Sequence, residues 1–237
     1  MNKTLSYDDV LLIPQYSDIR SRTEVSLETN LGNGLVLDSP VLSSPMDTIS
    51  EAPMAVAIGQ FGGSAIIHRY NSIQEQCRIV AMARETAETE INIGGAVGIS
   101  DDFLLRATML INAGVNFLCI DVAHGHHILM KEAIGSLREE VGNSFHIMAG
   151  NVATLEGVND LSDWGADSVR CNIGGGSICS TRVQTGHGMP GLQTIFECAK
   201  TDRDVAIIAD GGLKNSGDMV KALAAGADAV MCGSLFS

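Results

Sequence analysis

Eight short apolar runs recur along the chain at nearly even intervals, and this constrains the fold more than any other feature. They cover Pro40–Met46, Gly63–Arg69, Asn92–Ile99, Asn116–Ala123, Phe145–Val152, Ser168–Ile173, Val205–Gly212 and Ala229–Ser234. Their starts are 23, 29, 24, 29, 23, 37 and 24 residues apart. Near-continuous apolarity is expected of parallel strands buried on both faces. Between them lie segments with helical spacing: Glu51–Gln60, Ile73–Arg84, Asp102–Asn112, Ile128–Glu139, Leu155–Trp164, Leu192–Ala199 and Ser216–Ala224. Strand and helix alternating with this period predict a parallel α/β fold, and eight strands favour a (β/α)8 (TIM) barrel over an open sheet. A repeated signature supports this: Asn112-Ala-Gly-Val-Asn116, Trp164-Gly-Ala-Asp167 and Ala225-Gly-Ala-Asp228 each end a helix at glycine just before the next strand.

The chain has 237 residues, so residues 1–237 read as a single barrel domain. It ends just after the eighth run, and an eighth helix would need about ten residues more, so the expectation is a C-terminally shortened barrel. The 28 acidic against 15 basic residues exclude a nucleic-acid-binding role, which requires a basic face. They leave open a small anion held by backbone amides. No apolar run reaches the ~18 residues of a membrane span. The first residues lack the basic-then-apolar pattern of a secretory signal. The six cysteines show no Cys-x-x-Cys spacing, and reduced thiols point to a cytoplasmic protein.

The interval after the sixth run is the longest. It holds Asn172-Ile-Gly-Gly-Gly-Ser-Ile-Cys-Ser-Thr-Arg182 and then Thr185-Gly-His-Gly-Met-Pro-Gly191. Long loops at the C-terminal ends of barrel strands carry the chemistry of such folds. Glycines there let N–H groups approach a phosphate, and Cys179 follows within reach of whatever that phosphate bears. Cys119, Cys171 and Cys232 lie in strand-like runs, and Cys77 and Cys198 in helix-like ones, where a thiol is usually inert packing. Cys179 alone lies in a polar glycine-rich loop, where N–H groups and Arg182 can stabilise a thiolate. Residue type and spacing leave both a nucleophile and a structural thiol open at this position.

The other strand ends complete a candidate site. They are Ser43-Ser-Pro-Met-Asp47, Asp121-Val-Ala-His-Gly125, Gly150-Asn151, Asp210-Gly-Gly212 and Gly233-Ser234. Gly211, Gly212, Gly233 and Ser234 can offer N–H and hydroxyl donors to a phosphate, with Ser177 adding a hydroxyl. Asp210 suits a ribose diol. Met46 can cover a flat ring. The tight strand exit Asp-Gly-Gly is, taken alone, equally a plain turn. The loop His124-Gly-His-His127 has no matching carboxylate pair, so it reads as a solvated loop touching a ligand rather than a metal site.

Six of these segments together resemble the IMP dehydrogenase/GMP reductase family. They are Tyr7-Asp-Asp-Val-Leu-Leu-Ile-Pro14, Ser43-Ser-Pro-Met-Asp-Thr48, Ala149-Gly-Asn-Val152, Gly176-Ser-Ile-Cys-Ser-Thr-Arg182, Ala209-Asp-Gly-Gly212 and Ala224-Ala-Gly-Ala-Asp-Ala-Val-Met231. The resemblance spans nearly the whole chain. It implies a homotetrameric barrel that binds a purine nucleoside monophosphate and a nicotinamide cofactor. By similarity Cys179 attacks purine C2, with Thr181 beside it. Ser44 and Met46 contact the nucleotide, Ser177, Gly212, Gly233 and Ser234 hold its phosphate, and Asp210 its ribose. Asp121 and Asn151 lie near the nicotinamide. The carbonyls of Gly174, Gly176 and Cys179 would hold a monovalent cation, K+.

Two branches share that intermediate. Pro45, Ser177-Ile-Cys179 and Asn215-Ser-Gly-Asp218 look like the dehydrogenase, which oxidises IMP to XMP with NAD. Asp121-Val-Ala-His-Gly125 and Glu197-Cys-Ala199 look like the reductase, which converts GMP to IMP and ammonia with NADPH. So does the short Arg84–Asn92 interval, which has no room for an inserted cystathionine-β-synthase domain pair. The site residues lead to the dehydrogenase as the expectation, with the reductase as alternative. A non-catalytic nucleotide-binding barrel is the reading of another class.

Overall fold

The computed structural model describes residues 3–100 and 102–237. A short antiparallel hairpin, β1 (Thr29–Asn30) and β2 (Val36–Leu37), comes first. The eight predicted runs then form β3 (Val41–Ser43), β4 (Ser64–Ile67), β5 (Asn92–Val97), β6 (Phe117–Asp121), β7 (His146–Val152), β8 (Ser168–Cys171), β9 (Ala206–Asp210) and β10 (Ala229–Cys232). Each pairs in parallel with its sequence neighbours, and β10 returns to β3 to close the barrel. The predicted helices appear as α1 (Ala52–Gln60), α2 (Ile73–Thr86), α3 (Phe103–Ala113), α4 (Ile128–Val141) and α5 (Leu155–Asp163), then α7 (Gly191–Cys198) and α8 (Ser216–Ala224). The sequence reading missed α6 (Thr181–Thr185) and the hairpin, because five- and two-residue elements are too short for a hydrophobic period to register.

Burial divides into two layers, as closure of a sheet requires. One layer fills the barrel with Leu42, Ile66, Phe117, Met148, Ile208 and Met231. Leu31, Leu35 and Leu37 of the hairpin join it and plug the end opposite the candidate site. The other lies between strands and helices, with Ile67, Val97, Leu118, Ile147 and Val169 meeting Ala55, Val80, Leu110, Ile134 and Leu161. The two glycines of β5 serve these layers in turn. A Cβ on Gly94 would lie 2.4 Å from the Phe117 ring that fills the interior, and one on Gly95 would lie 2.9 Å from Leu110 of α3.

The helix starts follow local chemistry. Ser72, Thr154 and Asn215 accept hydrogen bonds from the N–H groups of Glu75, Gly157 and Asp218, satisfying donors that the first turn leaves free. No helix among the described residues is long and apolar enough to cross a membrane.

Candidate active site

The strand ends converge on a cavity of about 310 Å3, lined among others by Ser44, Met46, Asp121, Asn151, Ser177, Cys179, Asp210, Gly212, Gly233 and Ser234. Gly174, Gly176 and Gly211 line it too, while Thr181 faces an adjoining cavity of about 340 Å3. Residues scattered between positions 44 and 234 thus meet because every parallel strand delivers its C-terminal end to one rim.

The end of β9 turns sharply. Gly211 and Gly212 have φ of +77° and +75°, a region that side chains disfavour. A Cβ on Gly212 would lie 2.8 Å from the Gly175 carbonyl oxygen, so the loop after β8 rests directly on this turn. The Gly211 N–H donates to the Met231 carbonyl at 3.0 Å. This corrects the expectation that both glycines offer donors, since strand pairing to β10 engages the first. The N–H groups of Gly212, Gly233 and Ser234 have no hydrogen-bond acceptor among the described residues. They are the donors left for an anion. Met46 covers this side, its sulfur 3.1 Å from where a Cβ on Gly233 would be.

Cys179 lies in a turn closed by its own N–H donating to the Gly176 carbonyl at 3.2 Å. Its sulfur is 3.3 Å from Thr181 Oγ1. The Thr181 hydroxyl, as a donor to the thiolate, holds the Cys179 pKa below the ordinary thiol value. Burial opposes this, while the N–H groups of Thr181 and Gly174 and the charge of Arg182 reinforce it. Burial pushes other thiols the opposite way: Cys119 and Cys232 to about 12, and Cys77 and Cys171 upward. The local environment therefore separates Cys179 from the packing cysteines.

Arg170 escaped the sequence reading. It lies within β8, where an apolar run suggested only packing, and is almost fully buried at 5% exposure. Its Nη1 donates to Asp121 Oδ1 at 2.6 Å, and its Nη2 and Nε donate to Asp210 Oδ2 at 2.8 and 3.1 Å. Burial alone would lower its pKa. The Asp210, Cys119 and Asp121 groups more than reverse this and hold the guanidinium charged. Asn151 Nδ2 adds a third donor to Asp210 Oδ2 at 2.6 Å. Three donors therefore occupy Oδ2, and among the described residues none is given to Oδ1, which is left for a ligand diol. A signal was present in the sequence: a lone arginine in a buried strand must find carboxylate partners.

The adjoining cavity is lined by Arg69, Tyr70, Val122, Ala123 and Ile173 together with Asp121, Asn151, Cys179 and Thr181. Arg69 and Tyr70 follow β4, whose end the sequence reading left out of the site. The Arg69 guanidinium lies 5.6 Å from the Tyr70 ring centroid and donates to the Asp121 carbonyl at 3.1 Å. In the histidine loop, His126 pairs with Asp160 at 2.8 Å and His127 accepts from the Leu129 N–H at the start of α4.

Comparison with known proteins gives this geometry its context. A model of the IMP dehydrogenase / GMP reductase domain matches residues 4–237. An inosine-5'-monophosphate dehydrogenase of Borreliella burgdorferi is 36% identical, over 99% of this chain and 70% of that protein. A GMP reductase of Leishmania major is 28% identical, over 98% of this chain and 74% of that one. The crystal structure of a Trypanosoma brucei GMP reductase C318A variant superposes with a TM-score of 0.96 at 27% identity, covering 100% of this chain and 82% of that one. With a closed eight-stranded barrel and a domain match over nearly its whole length, the chain belongs to the IMP dehydrogenase / GMP reductase family.

Proposed function

We propose that the protein oxidises IMP to XMP with NAD through a covalent bond between Cys179 and purine C2. The carrying observation is one cavity that joins a thiol of lowered pKa to a set of free N–H donors. The donors of Gly212, Gly233 and Ser234, with the Ser177 hydroxyl, suit the phosphate. Asp210 Oδ1 suits the ribose. Anchoring the phosphate and ribose converts binding energy into position at C2. Ser44 and Met46 then flank the base.

The Cys179 thiolate adds to C2 and forms a carbon–sulfur bond, with the electron pair moving onto the ring nitrogen. The adjoining cavity fits a carboxamide-bearing ring: the Val122 and Ala123 side is apolar, and Asn151 Oδ1 and Asp121 Oδ2 offer acceptors. When bound there, NAD supplies the acceptor for the hydride that leaves C2. Water then adds to the purine–Cys179 thioimidate, the thiolate departs, and XMP and one proton are released. Thr181 stabilises the thiolate at both ends of the cycle. The carbonyls of Gly174, Gly176 and Cys179 would hold a K+ ion. That of Gly176 accepts the Cys179 N–H and keeps a second lone pair for it.

The second reading is the reductase, favoured by the likeness to the trypanosomal GMP reductase. Here the Cys179 thiolate would add to C2 of GMP and ammonia would leave to give the same adduct; a bound NADPH would supply the hydride to C2, and the thiolate would then depart to give IMP. Exposed Leu11, Ile13 and Tyr16 in the N-terminal segment fit burial against further copies in the homotetramer we propose.

A paired assay separates the readings: IMP with NAD, and GMP with NADPH, each on wild type and Cys179→Ala. A rise in reduced-nicotinamide absorbance with IMP, abolished in the variant, is the expected result. A fall with GMP and release of ammonia would establish the reductase. Turnover surviving in Cys179→Ala would remove the covalent mechanism.

A further inference from the structure

Asn172 leaves β8 with φ of +155° and is buried at 5% exposure. Its side-chain Nδ2 donates to two consecutive carbonyls of the turn after β9: Asp210 at 2.8 Å and Gly211 at 3.3 Å. Its backbone N–H donates to Val152 at 2.9 Å, and its carbonyl accepts from Asn151 Nδ2 at 2.9 Å. One residue therefore ties together the ends of β7, β8 and β9.

The geometry of the peptide bond gives this tie a direction. In a trans peptide the C=O of one residue and the N–H of the next point opposite ways. The Asp210–Gly211 peptide is held at both ends, by Asn172 at its oxygen and by Met231 at its nitrogen. The Gly211–Gly212 peptide is held by Asn172 at its oxygen alone. Its Gly212 N–H consequently faces away from Asn172 and has no acceptor among the described residues.

Gly175 is the counterpart. A Cβ there would lie 2.1 Å from Asn172 Nδ2 and 2.6 Å from Oδ1, while the Gly175 carbonyl is the atom that a Cβ on Gly212 would meet. Asn172 and Gly175 both line the candidate active site and a second cavity of about 400 Å3 behind it. The amide thus forms part of the wall between them. Asn172 Oδ1 is buried and takes no hydrogen bond from the described residues.

We propose that Asn172 is a positioning residue for the nucleotide phosphate: its amide aims the Gly212 N–H, and an unsubstituted Gly175 leaves room for that amide. The inference rests on the functional reading above. Asn172→Asp keeps the shape and replaces the donor by an acceptor facing two carbonyls. Binding of IMP and GMP, and of inosine and guanosine, would be measured by titration calorimetry. The expected result is a loss of about tenfold or more for the monophosphates with the nucleosides unchanged, the size of one hydrogen bond to a charged group. In turnover kcat/KM for the nucleotide falls by a similar factor. Unchanged monophosphate binding, or an equal loss for nucleosides, would overturn the proposal.

A double-mutant cycle tests the steric pair. Gly175→Ala weakens monophosphate binding in the native background and adds nothing to Asn172→Gly. Independent, multiplying effects would reject the pairing. If wild type binds none of these ligands, the functional reading fails and the phosphate role with it. The melting temperatures of the same four proteins then still report whether positions 172 and 175 are coupled.

Discussion

Cys179 and Arg170 show how far a single residue's chemistry depends on its neighbours. The lowered Cys179 pKa comes first from the Thr181 hydroxyl. Removing that hydroxyl in Thr181→Val raises the pKa, so the pH midpoint of iodoacetamide alkylation at Cys179 moves upward. An unmoved midpoint would show that backbone donors and Arg182 suffice. Arg170 of β8 joins two carboxylates at the barrel rim, Asp121 of β6 and Asp210 of the neighbouring β9. Replacing it with Met leaves Asp210 without its cation and Asp121 with only Arg69, whose Nε lies 3.8 Å from Oδ2. Losing one partner of a buried pair costs about 3–5 kcal/mol, so the urea midpoint of Arg170→Met should fall markedly and IMP binding with it. Polar composition made the cysteine loop legible in the sequence. The arginine was hidden, because its partners are 49 and 40 residues away.

At the scale of elements, the Gly-x-Asn/Asp signature does more than end helices. Gly114, Gly165 and Gly226 adopt φ of +99°, +115° and +109°, as a helix stop requires. The polar residue two positions on then accepts a hydrogen bond from the strand next door. Asn116 takes the Ile93 N–H at 2.8 Å, Asp167 the Ile147 N–H at 2.7 Å and Asp228 the Ile207 N–H at 2.7 Å. Strand starts at the barrel floor, which lack a ladder partner there, are thereby satisfied. Arg84 and Arg138 reinforce two of these joints by donating to the carbonyls of Gly114 and Gly165. Asp167→Ala removes both the strand contact and the Arg138 pair, so a loss of about 2–3 kcal/mol is expected in chemical denaturation. A loss under 1 kcal/mol would mean that water replaces the carboxylate. The repeat and its period were readable in the sequence. The cross-strand bond was not, since each acceptor serves a strand about twenty residues earlier.

For the molecule as a whole, barrel closure leaves one end for chemistry and one to be sealed. The hairpin seals it, fixed by His146 of β7, whose Nδ1 meets the Gly32 carbonyl at 2.9 Å and whose Nε2 meets Ser168 Oγ at 2.8 Å. Because a carbonyl can only accept, Nδ1 carries the proton and the neutral ring accepts from Ser168. Burial holds the His146 pKa below its ordinary value. The unfolded chain therefore binds the proton more readily. The stability contributed by His146 is complete above the unfolded pKa of about 6.5 and is lost as pH falls toward the depressed folded value. Melting temperature should decline between pH 7 and pH 5, and His146→Gln should flatten that slope. An equal slope in the variant would assign the decline to other groups.

The sequence by itself determined the strand and helix alternation, the barrel and the place of the Cys179 loop at one rim. Those properties are local or periodic: apolar runs, glycine stops, a thiol among polar neighbours. Only the tertiary structure decided which groups meet at the rim. Arg170 between Asp121 and Asp210, the Asn172 amide over the turn after β9, and the loss of the Gly211 donor to Met231 all depend on closure of the sheet. Closure brings residues distant in sequence within hydrogen-bond reach and excludes the water that would otherwise satisfy them.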